Sequence, residues 1–77
     1  MHELGIALQI AEAAAERARD ARPVRVVVEV GELTAVLPEA LAFAWEVAIQ
    51  DSELPGCALE IVAVAGHELR IRELEVT

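Results

Sequence analysis

The residues of this chain best suited to chemistry are the first three, Met1, His2 and Glu3. A free chain end places an α-amine, a backbone amide and the His2 imidazole side by side. The amine and the imidazole can close chelate rings through the amide nitrogen between them, and the Glu3 amide is a further donor. Because nitrogen ligands in a plane suit Ni(II) or Cu(II) better than Zn(II) or Mg(II), the tripeptide indicates such a site. A chance His after the initiator Met is the alternative that three residues leave open.

Few other side chains in the sequence could bind a metal. Cys57 is the single cysteine, so a CxxC site and an intramolecular disulfide are both ruled out, and we expect a buried, inert thiol. His67 is the only other imidazole. It is a candidate nickel ligand if the third strand begins near the N-terminus, and otherwise an exposed turn residue. A structural zinc site, which needs about four Cys or His ligands, is not expected.

Composition narrows the classes of function. The chain has 77 residues, one Trp, one Phe and no Tyr, which predicts a single small domain, residues 1–77, with an aliphatic core. A net charge of −8 argues against nucleic acid and anionic membranes as partners. The sequence has no apolar run of 18 residues and no charged leader, which favours a cytoplasmic protein. It also has no nucleophile triad or phosphate-binding glycine loop, so we do not expect an enzyme.

Hydrophobic periodicity predicts the elements that position these residues. They are a helix over residues 4–20, a strand over 24–33, a helix from Pro38 to about 50, and strands over 58–64 and about 67–76. The order α-β-α-β-β predicts an α/β (α+β) two-layer sandwich, with two helices on one face of a three-stranded mixed sheet. We expect a right-handed crossover through the second helix and a hairpin of the last two strands. In the last strand the alternation of apolar and polar residues shifts by one position after Ile71, which predicts a bulge near Arg72 and Glu73.

Each helix has a predicted inner face. In the first helix that face comprises Leu4, Ala7, Leu8, Ala11, Ala14, Ala15 and Ala18. In the second it comprises Leu41, Trp45, Ala48 and Ile49. Phe43 falls on the polar side, where either the first helix covers it or it is exposed as an anchor for a partner protein. Glu73 and Glu75 lie on a strand edge with Arg70 and Arg72, where charge pairing across the strands explains them.

Longer stretches of the sequence resemble the HypA/HybF family of nickel metallochaperones. The matching segments are the start, Met1-His2-Glu3 followed by residues 4–7, then residues 30–43, 59–61, 66–71 and 74–76. They occur in the family's order over nearly the whole chain. The resemblance implies assembly of [NiFe] hydrogenase, and in some bacteria urease, with a HypB-like GTPase and the hydrogenase large subunit as partners.

The resemblance also implies which residues bind nickel. His2 matches the family's nickel-binding histidine, and its imidazole and amide are the expected ligands, with the Met1 amine and the Glu3 amide as further candidates. The Glu3 carboxylate is expected to orient the site or to start the helix. Family members carry a zinc module with two CxxC pairs, which is absent here between about residues 64 and 67. A naturally shortened relative and a chain from which the module was removed are both consistent with this.

A second class of function competes with nickel delivery. The same fold could serve as a protein-interaction or oligomerisation module without metal, and a homodimer is one form of it. The exposed sheet face around Val27, the Ala-rich first helix and Phe43 could each supply the contact surface. Nickel titration of the untagged chain separates the two hypotheses.

Overall fold

The computed structural model describes residues 3–50, 52 and 54–77, so the predictions that fall on Met1 and His2 lie outside the described residues. Its elements are α1 (Glu3–Ala18), β1 (Pro23–Gly31), a 3-10 helix (Glu32–Thr34), α2 (Pro38–Gln50), β2 (Ala58–Val64) and β3 (Leu69–Val76). The helices pack on each other and on one face of a three-stranded sheet, which confirms the predicted fold class and order. Within the described residues no helix is long and apolar enough to cross a membrane.

The buried side of α1 differs from the predicted one. Four of the five predicted alanines are buried and Ala15 is half-buried. Ile6 and Ile10 are also buried, whereas Leu4 and Leu8 are 45% and 50% exposed. Ile6 and Ile10 line a cleft together with Ile71 of β3. The prediction for Leu4 and Leu8 was wrong because α1 leans over β3, which turns its isoleucines, and not its leucines, toward the sheet.

β1 is the central strand of the sheet, whose order is β2-β1-β3. It pairs in parallel with β2, as the strand–helix–strand unit predicted. β3 pairs antiparallel with β1 and not with β2, so the predicted hairpin of the last two strands is wrong. Placing β3 beside β1 gives the valine-rich strand a hydrogen-bonded ladder on both sides and packs Ile71 and Leu74 against the core.

The predicted bulge in β3 is confirmed. Val27 pairs with Glu73 and Val28 pairs with Ile71, which leaves Arg72 as the extra residue on β3. Because side chains alternate along a strand, one inserted residue changes which face the following side chains occupy. The bulge therefore allows Ile71 and Leu74, three positions apart, to pack on the same core.

The core lies between the helices and the sheet. Its largest fully buried side chains include Leu41, Trp45 and Leu54, and the predicted inner face of α2 is confirmed. The Trp45 indole Nε1–H donates a hydrogen bond to the Cys57 carbonyl at 2.8 Å. The only polar atom of this large side chain is thus satisfied, and the rest of the ring contributes apolar burial.

The connection from β2 to β3 crosses the end of β1 at Gly31. The Gly31 N–H donates to the Glu68 carbonyl at 2.7 Å, and the Leu33 N–H donates to the Gly66 carbonyl at 2.9 Å. A Cβ atom on Gly31 would lie 2.3 Å from the Gly66 oxygen, a distance that no side chain tolerates. Gly66 itself has φ 90°, a conformation that favours glycine. Two glycines therefore hold the crossing in contact with β1.

The face of the sheet away from the helices, here called the open face, carries ion pairs. Arg25 contacts Glu60 at 3.5 Å, Glu73 at 3.4 Å and Glu75 at 3.0 Å. The hydrogen bond to Glu75 raises the pKa of Arg25 above its ordinary value. Val27 lies between Glu60 and Glu73 in the sheet register and is only 2% exposed. The residues around Arg25 thus shield a valine on the open face.

A second group of ion pairs lies on the open face. Arg70 Nε lies 2.8 Å from Glu29, and Arg72 lies 3.9 Å from the same carboxylate. The predicted charge pairing across the strands is confirmed, because Glu73 and Glu75 pair with Arg25 of β1, and Arg70 and Arg72 pair with Glu29 of β1. In each of the two groups, β1 supplies the residue that the other members contact, which is Arg25 in the first group and Glu29 in the second.

Candidate metal centre at the N-terminal end

α1 begins at Glu3, so Met1 and His2 precede its first turn. Glu3 is the part of the predicted ligand set that the structure describes. Its carboxylate Oε2 accepts a hydrogen bond from the Leu37 backbone N–H at 3.4 Å. This contact ties the first turn of α1 to the residue just before α2.

The turn that presents Leu37 is held by Thr34. The Thr34 hydroxyl donates to the Gly31 carbonyl at 2.8 Å and accepts from the Val36 N–H at 3.3 Å. Ala35 between them has φ 62°, and Val36 is buried. The contact to Glu3 therefore comes from a hydrogen-bonded turn anchored on the last residue of β1.

His67 lies in the connection that crosses β1 at Gly31. Its neighbours Gly66 and Glu68 accept hydrogen bonds from Leu33 and Gly31, and its side chain is exposed. β3 begins two residues later at Leu69, which lines a cleft with Ile6 and Gln9 of α1. The third strand therefore begins beside the first turns of α1, whereas the N-terminus itself lies outside the described residues. Nickel binding by His67 stays a prediction.

Cys57 is placed away from this end of the molecule. It precedes β2, whose first residue Ala58 pairs with Arg25, whereas the N-terminal end of α1 lies near Gly31 at the other end of β1. The thiol is buried, and desolvation raises its pKa. Because a metal ligand must be the thiolate, a buried thiol with a raised pKa is a poor ligand. This agrees with the prediction of an inert cysteine.

Side-chain ligands alone do not make a metal site in the described part of the chain. Within residues 3–50, 52 and 54–77, no three His, Cys, Asp or Glu side chains come together as a group that could hold a metal ion. The first N–H groups of a helix have no partner one turn earlier. The Glu3 amide, at the first position of α1, is therefore a main-chain donor that can lose its proton without breaking a helical hydrogen bond.

Phe43 is 74% exposed, so the alternative in which α1 covers it is wrong. The outer surface of the helical layer exposes further large apolar side chains: Leu4, Leu8, Leu37 and Val47. The hydrogen bond from Leu37 to Glu3 places the N-terminal ends of the two helices together. Leu4 and Leu37 are thus exposed apolar side chains at the joined N-terminal ends of the two helices.

The hydrogen bond between Leu37 and Glu3 was not predicted from the sequence. Pro38 did indicate the start of α2. The Leu37 N–H therefore lies at a helix start, where backbone N–H groups have no acceptor within the helix. Which acid supplies the acceptor depends on how α1 lies against α2. Periodicity gives the faces of a helix but not the position of one helix along another.

Comparison with known proteins gives a consistent result. The family model for HypA, described as a hydrogenase/urease nickel-incorporation metallochaperone, matches residues 1–68. The hydrogenase maturation factor HypA of Crocosphaera subtropica is 40% identical over 81 residues, which cover 95% of this chain and 71% of that protein. The HypA of Trichodesmium erythraeum is 42% identical over 66 residues, covering 86% of this chain and 58% of the relative.

The fold is shared with a solved structure. The solution structure of the Ni metallochaperone HypA from Helicobacter pylori superposes with a TM-score of 0.65, over 100% of this chain and 94% of that one. At 19% sequence identity this likeness concerns the fold alone. A further relative, the HypA of Dechloromonas aromatica, is 44% identical over 69 residues, and this chain covers 61% of its length.

Proposed function

Because the chain belongs to the HypA family of nickel-incorporation metallochaperones, we propose that it binds one Ni(II) ion at Met1, His2 and Glu3 and delivers it during maturation of a [NiFe] hydrogenase. The observation that carries the proposal is the family match from residue 1, which includes all three residues. Nickel is here a cargo, and the proposed activity is transfer rather than catalysis. A cytoplasmic site of action and a role in urease maturation belong to the same proposal.

The proposed donors are the Met1 amine, the His2 amide and the His2 imidazole, with the Glu3 amide or His67 as the fourth. The positive end of the α1 dipole, at Glu3, disfavours an uncompensated cation. Two deprotonated amides would cancel the charge of Ni(II), so amide donors suit this position better than neutral ligands do. Acid should release the metal, because each of these donors must lose a proton before it can bind.

The Glu3 carboxylate is proposed to position the site rather than to bind nickel. It accepts the Leu37 N–H at 3.4 Å, so a move to the metal would leave that N–H without its acceptor. Its negative charge near the helix N-terminus also favours the first turn of α1. The carboxylate thus orients the Glu3 amide by holding the first turn against the β1–α2 connection.

The proposed partners are a HypB-like GTPase and the large subunit of a hydrogenase. Phe43 is the proposed contact residue, because it is the most exposed of the large apolar side chains and belongs to the same helical layer as Leu4 and Leu8. The same exposed residues support a second candidate function, a protein-interaction module derived from this fold without metal. No structural zinc is proposed, because the core is closed by aliphatic side chains and Trp45.

Nickel titration by calorimetry tests the proposal on the untagged chain. We expect one Ni(II) per chain, and His2→Ala should weaken binding by at least about tenfold, or roughly 1.4 kcal/mol. His67→Ala is the matched control: an unchanged affinity assigns the fourth position to the Glu3 amide, and a loss assigns it to His67. Helical circular dichroism should persist after treatment with a strong chelator. Full-strength binding by His2→Ala would show that the site lies elsewhere.

The absence of lysine from the sequence allows the Met1 amine to be tested directly. An acylating reagent then has the α-amine as its one amine target in this 77-residue chain, so acetylation blocks that donor without a mutation. We expect acetylated protein to bind nickel at least about tenfold more weakly. Equal affinities before and after acetylation would remove the amine from the ligand set. A chain that binds no nickel in any form would leave the interaction module as the function.

A further inference from the structure

The two helices border a groove on the side that the sheet does not cover. α1 and α2 run side by side in the same direction, because Glu3 and Leu37 join their first turns, while Glu12 and Glu16 lie across from Ala48 farther along. The depression between these last residues has a volume of about 430 Å³ and a floor of small side chains. Both glutamates on its α1 rim are exposed to solvent. A surface groove therefore runs between the helices.

Exposed apolar side chains border this groove on both helices. Leu4 and Leu8 lie one turn apart on α1, Phe43 and Val47 lie one turn apart on α2, and all four are exposed. Side chains four residues apart share one side of a helix. Leu8 also lines the depression between the helices. We call these four residues the apolar strip, and a contiguous exposed surface of this kind usually marks a binding site.

Acidic side chains flank the apolar strip on both helices. On α1, Glu12 and Glu16 continue the row that Leu8 begins, at intervals of one turn. On α2, Glu39 lies four residues before Phe43 and Glu46 lies three residues after it, so both carboxylates lie on the same side of the helix as Phe43. All four acids are exposed. The surface is thus apolar along its centre and negative along its borders.

The flanking acids are without a cationic partner in the described part of the chain. Every ion pair there uses Arg25, Arg70 or Arg72 of the sheet. α2 contains no basic residue, and α1 contains only Arg17, which lines the cleft toward β3. Arg19 follows the end of α1 and shares a depression with Glu16, but the two form no ion pair. The helical layer therefore presents negative charge that a partner can neutralise.

We propose that the apolar strip and its flanking acids bind a basic amphipathic helix of a partner protein, which lies along the groove between α1 and α2. Apolar side chains of that helix, spaced by three and four residues, cover Leu8 and Phe43, and its lysines or arginines face the glutamates. α1 has 16 residues and is therefore about 24 Å long, which suits a partner helix of about four turns. The inference rests on the proposed partner contact at Phe43 and not on nickel binding.

Charge and shape favour this occupant over others. A net charge of −8 attracts basic partners and repels acidic ones. A third helix packs into the groove between two helices that run side by side. An extended segment would leave its backbone groups unpaired there, because a helix offers no hydrogen-bonding edge. A second copy of this chain does not suit the surface, since its own helices would bring Glu12, Glu16, Glu39 and Glu46 against the same acids.

Fluorescence anisotropy in chelator tests the proposal on the untagged wild-type chain. The probe is a labelled helical peptide of about 18 residues, with leucines on one face and lysines on the other. A second peptide of the same composition, reordered so that no face is apolar, is the control. We expect the amphipathic peptide to bind at least about tenfold more tightly than the reordered one. Added salt should weaken its binding, since ion pairs at a surface are screened.

Two double variants of equal net charge separate a local contact from general attraction. Glu12→Gln with Glu16→Gln removes two acids beside the apolar strip, and Glu73→Gln with Glu75→Gln removes two from the open face. We expect the first variant to weaken peptide binding at least about fivefold and the second less than about twofold. Equal losses in both variants would mean that only the net charge attracts the peptide, which overturns the proposal.

Phe43→Ser tests the apolar part of the contact, with Leu33→Ser as its control. Phe43 is 74% exposed and Leu33 is 64% exposed, so both variants should keep the circular dichroism of the wild type. Leu33 lies in the 3-10 helix after β1 and not on the helical layer. We expect Phe43→Ser to weaken peptide binding at least about tenfold and Leu33→Ser less than about twofold. An unchanged affinity of Phe43→Ser overturns the proposal.

NMR spectra locate the bound peptide. Amide shifts of residues 4–16 and 39–50 should change when the amphipathic peptide is added, while those of β2 and β3 should not, and changes confined to the sheet overturn the proposal. Because peptide binding is measured in chelator, it is independent of the nickel titration. A chain that binds nickel but does not distinguish the two peptides overturns this inference and leaves nickel delivery standing. A chain that distinguishes the peptides but binds no nickel supports it and contradicts only the metal site.

Discussion

The two faces of the sheet keep a valine away from water by different means. On the helix side Val28 is fully buried among apolar side chains of α1 and β3. On the open face Val27 is 2% exposed, although the side chains around it are those of Arg25 and its glutamates. Long charged side chains can cover apolar surface with their methylene groups. The comparison teaches that an exposed ion-pair group can act as a cover, although one that yields more readily than a packed helix.

Gly31→Ala is the substitution on the open face for which we expect the largest loss of stability. Gly31 lies on the same side of β1 as Val27 by strand alternation, yet a Cβ there meets the Gly66 backbone at 2.3 Å. We expect a loss of roughly 2–4 kcal/mol of unfolding free energy, because backbone must move. Urea denaturation measures it. Gly5→Ala in α1 is the control: nothing lies within 4 Å, and the change should stabilise by about 0.5–1 kcal/mol.

The next test compares the two valines directly. Val28→Ala should cost about 2 kcal/mol, because the rigid helices cannot close the space that two lost methyl groups leave. Val27→Ala should cost about 1 kcal/mol, since the flexible side chains above it can settle into the gap. Both losses of unfolding free energy are obtained from the midpoints of urea denaturation, with the same slope of unfolding free energy against urea concentration for each variant. Equal losses would show that the ion-pair group is as rigid as the helical layer.

The smallest effect is expected for Arg25→Gln. The ion pairs of Arg25 are exposed, so its removal should lower the thermal midpoint less than Val27→Ala does. High salt should reduce the difference from wild type, which distinguishes a lost charge from lost packing. Because the pKa of Arg25 is raised, its contribution is present below the ordinary arginine range and is lost only at strongly alkaline pH. A difference that salt leaves unchanged would mean that Arg25 acts mainly through its methylene groups.

The sequence predicted the helices, the strands and the bulge because each rests on local periodicity. α2 begins at Pro38, and β2 runs over Ala58–Val64, both as expected. The pairing of β3 could not be predicted in the same way. Alternation shows which side chains of a strand share a face, but it does not show which edge of β1 receives the strand. A short connection suggested the hairpin, whereas the two glycines at the crossing allow the chain to pass over β1.

The features of the candidate site also differ in whether they could be predicted from the sequence. Met1, His2 and Glu3 were identified from their donor chemistry, which needs no tertiary structure. The Leu37 contact to Glu3 and the exposure of Leu4, Leu8 and Phe43 depend on how the helices lie together. Ile6 and Ile10 were missed for that reason too, since the choice of buried face in a helix rich in alanine is decided by its neighbours.

The central position of β1 has a consequence for the order of folding. Its parallel partner β2 follows α2 closely in the chain, whereas its antiparallel partner β3 is the C-terminal strand. Contacts between distant parts of a chain form late, because the entropy of closing the intervening loop opposes them. β1, α2 and β2 can thus assemble while β3 is still unpaired. At that stage the valine-rich edge of β1 is open to other chains, and the arrival of the charged, bulged β3 ends the period in which aggregation competes with folding.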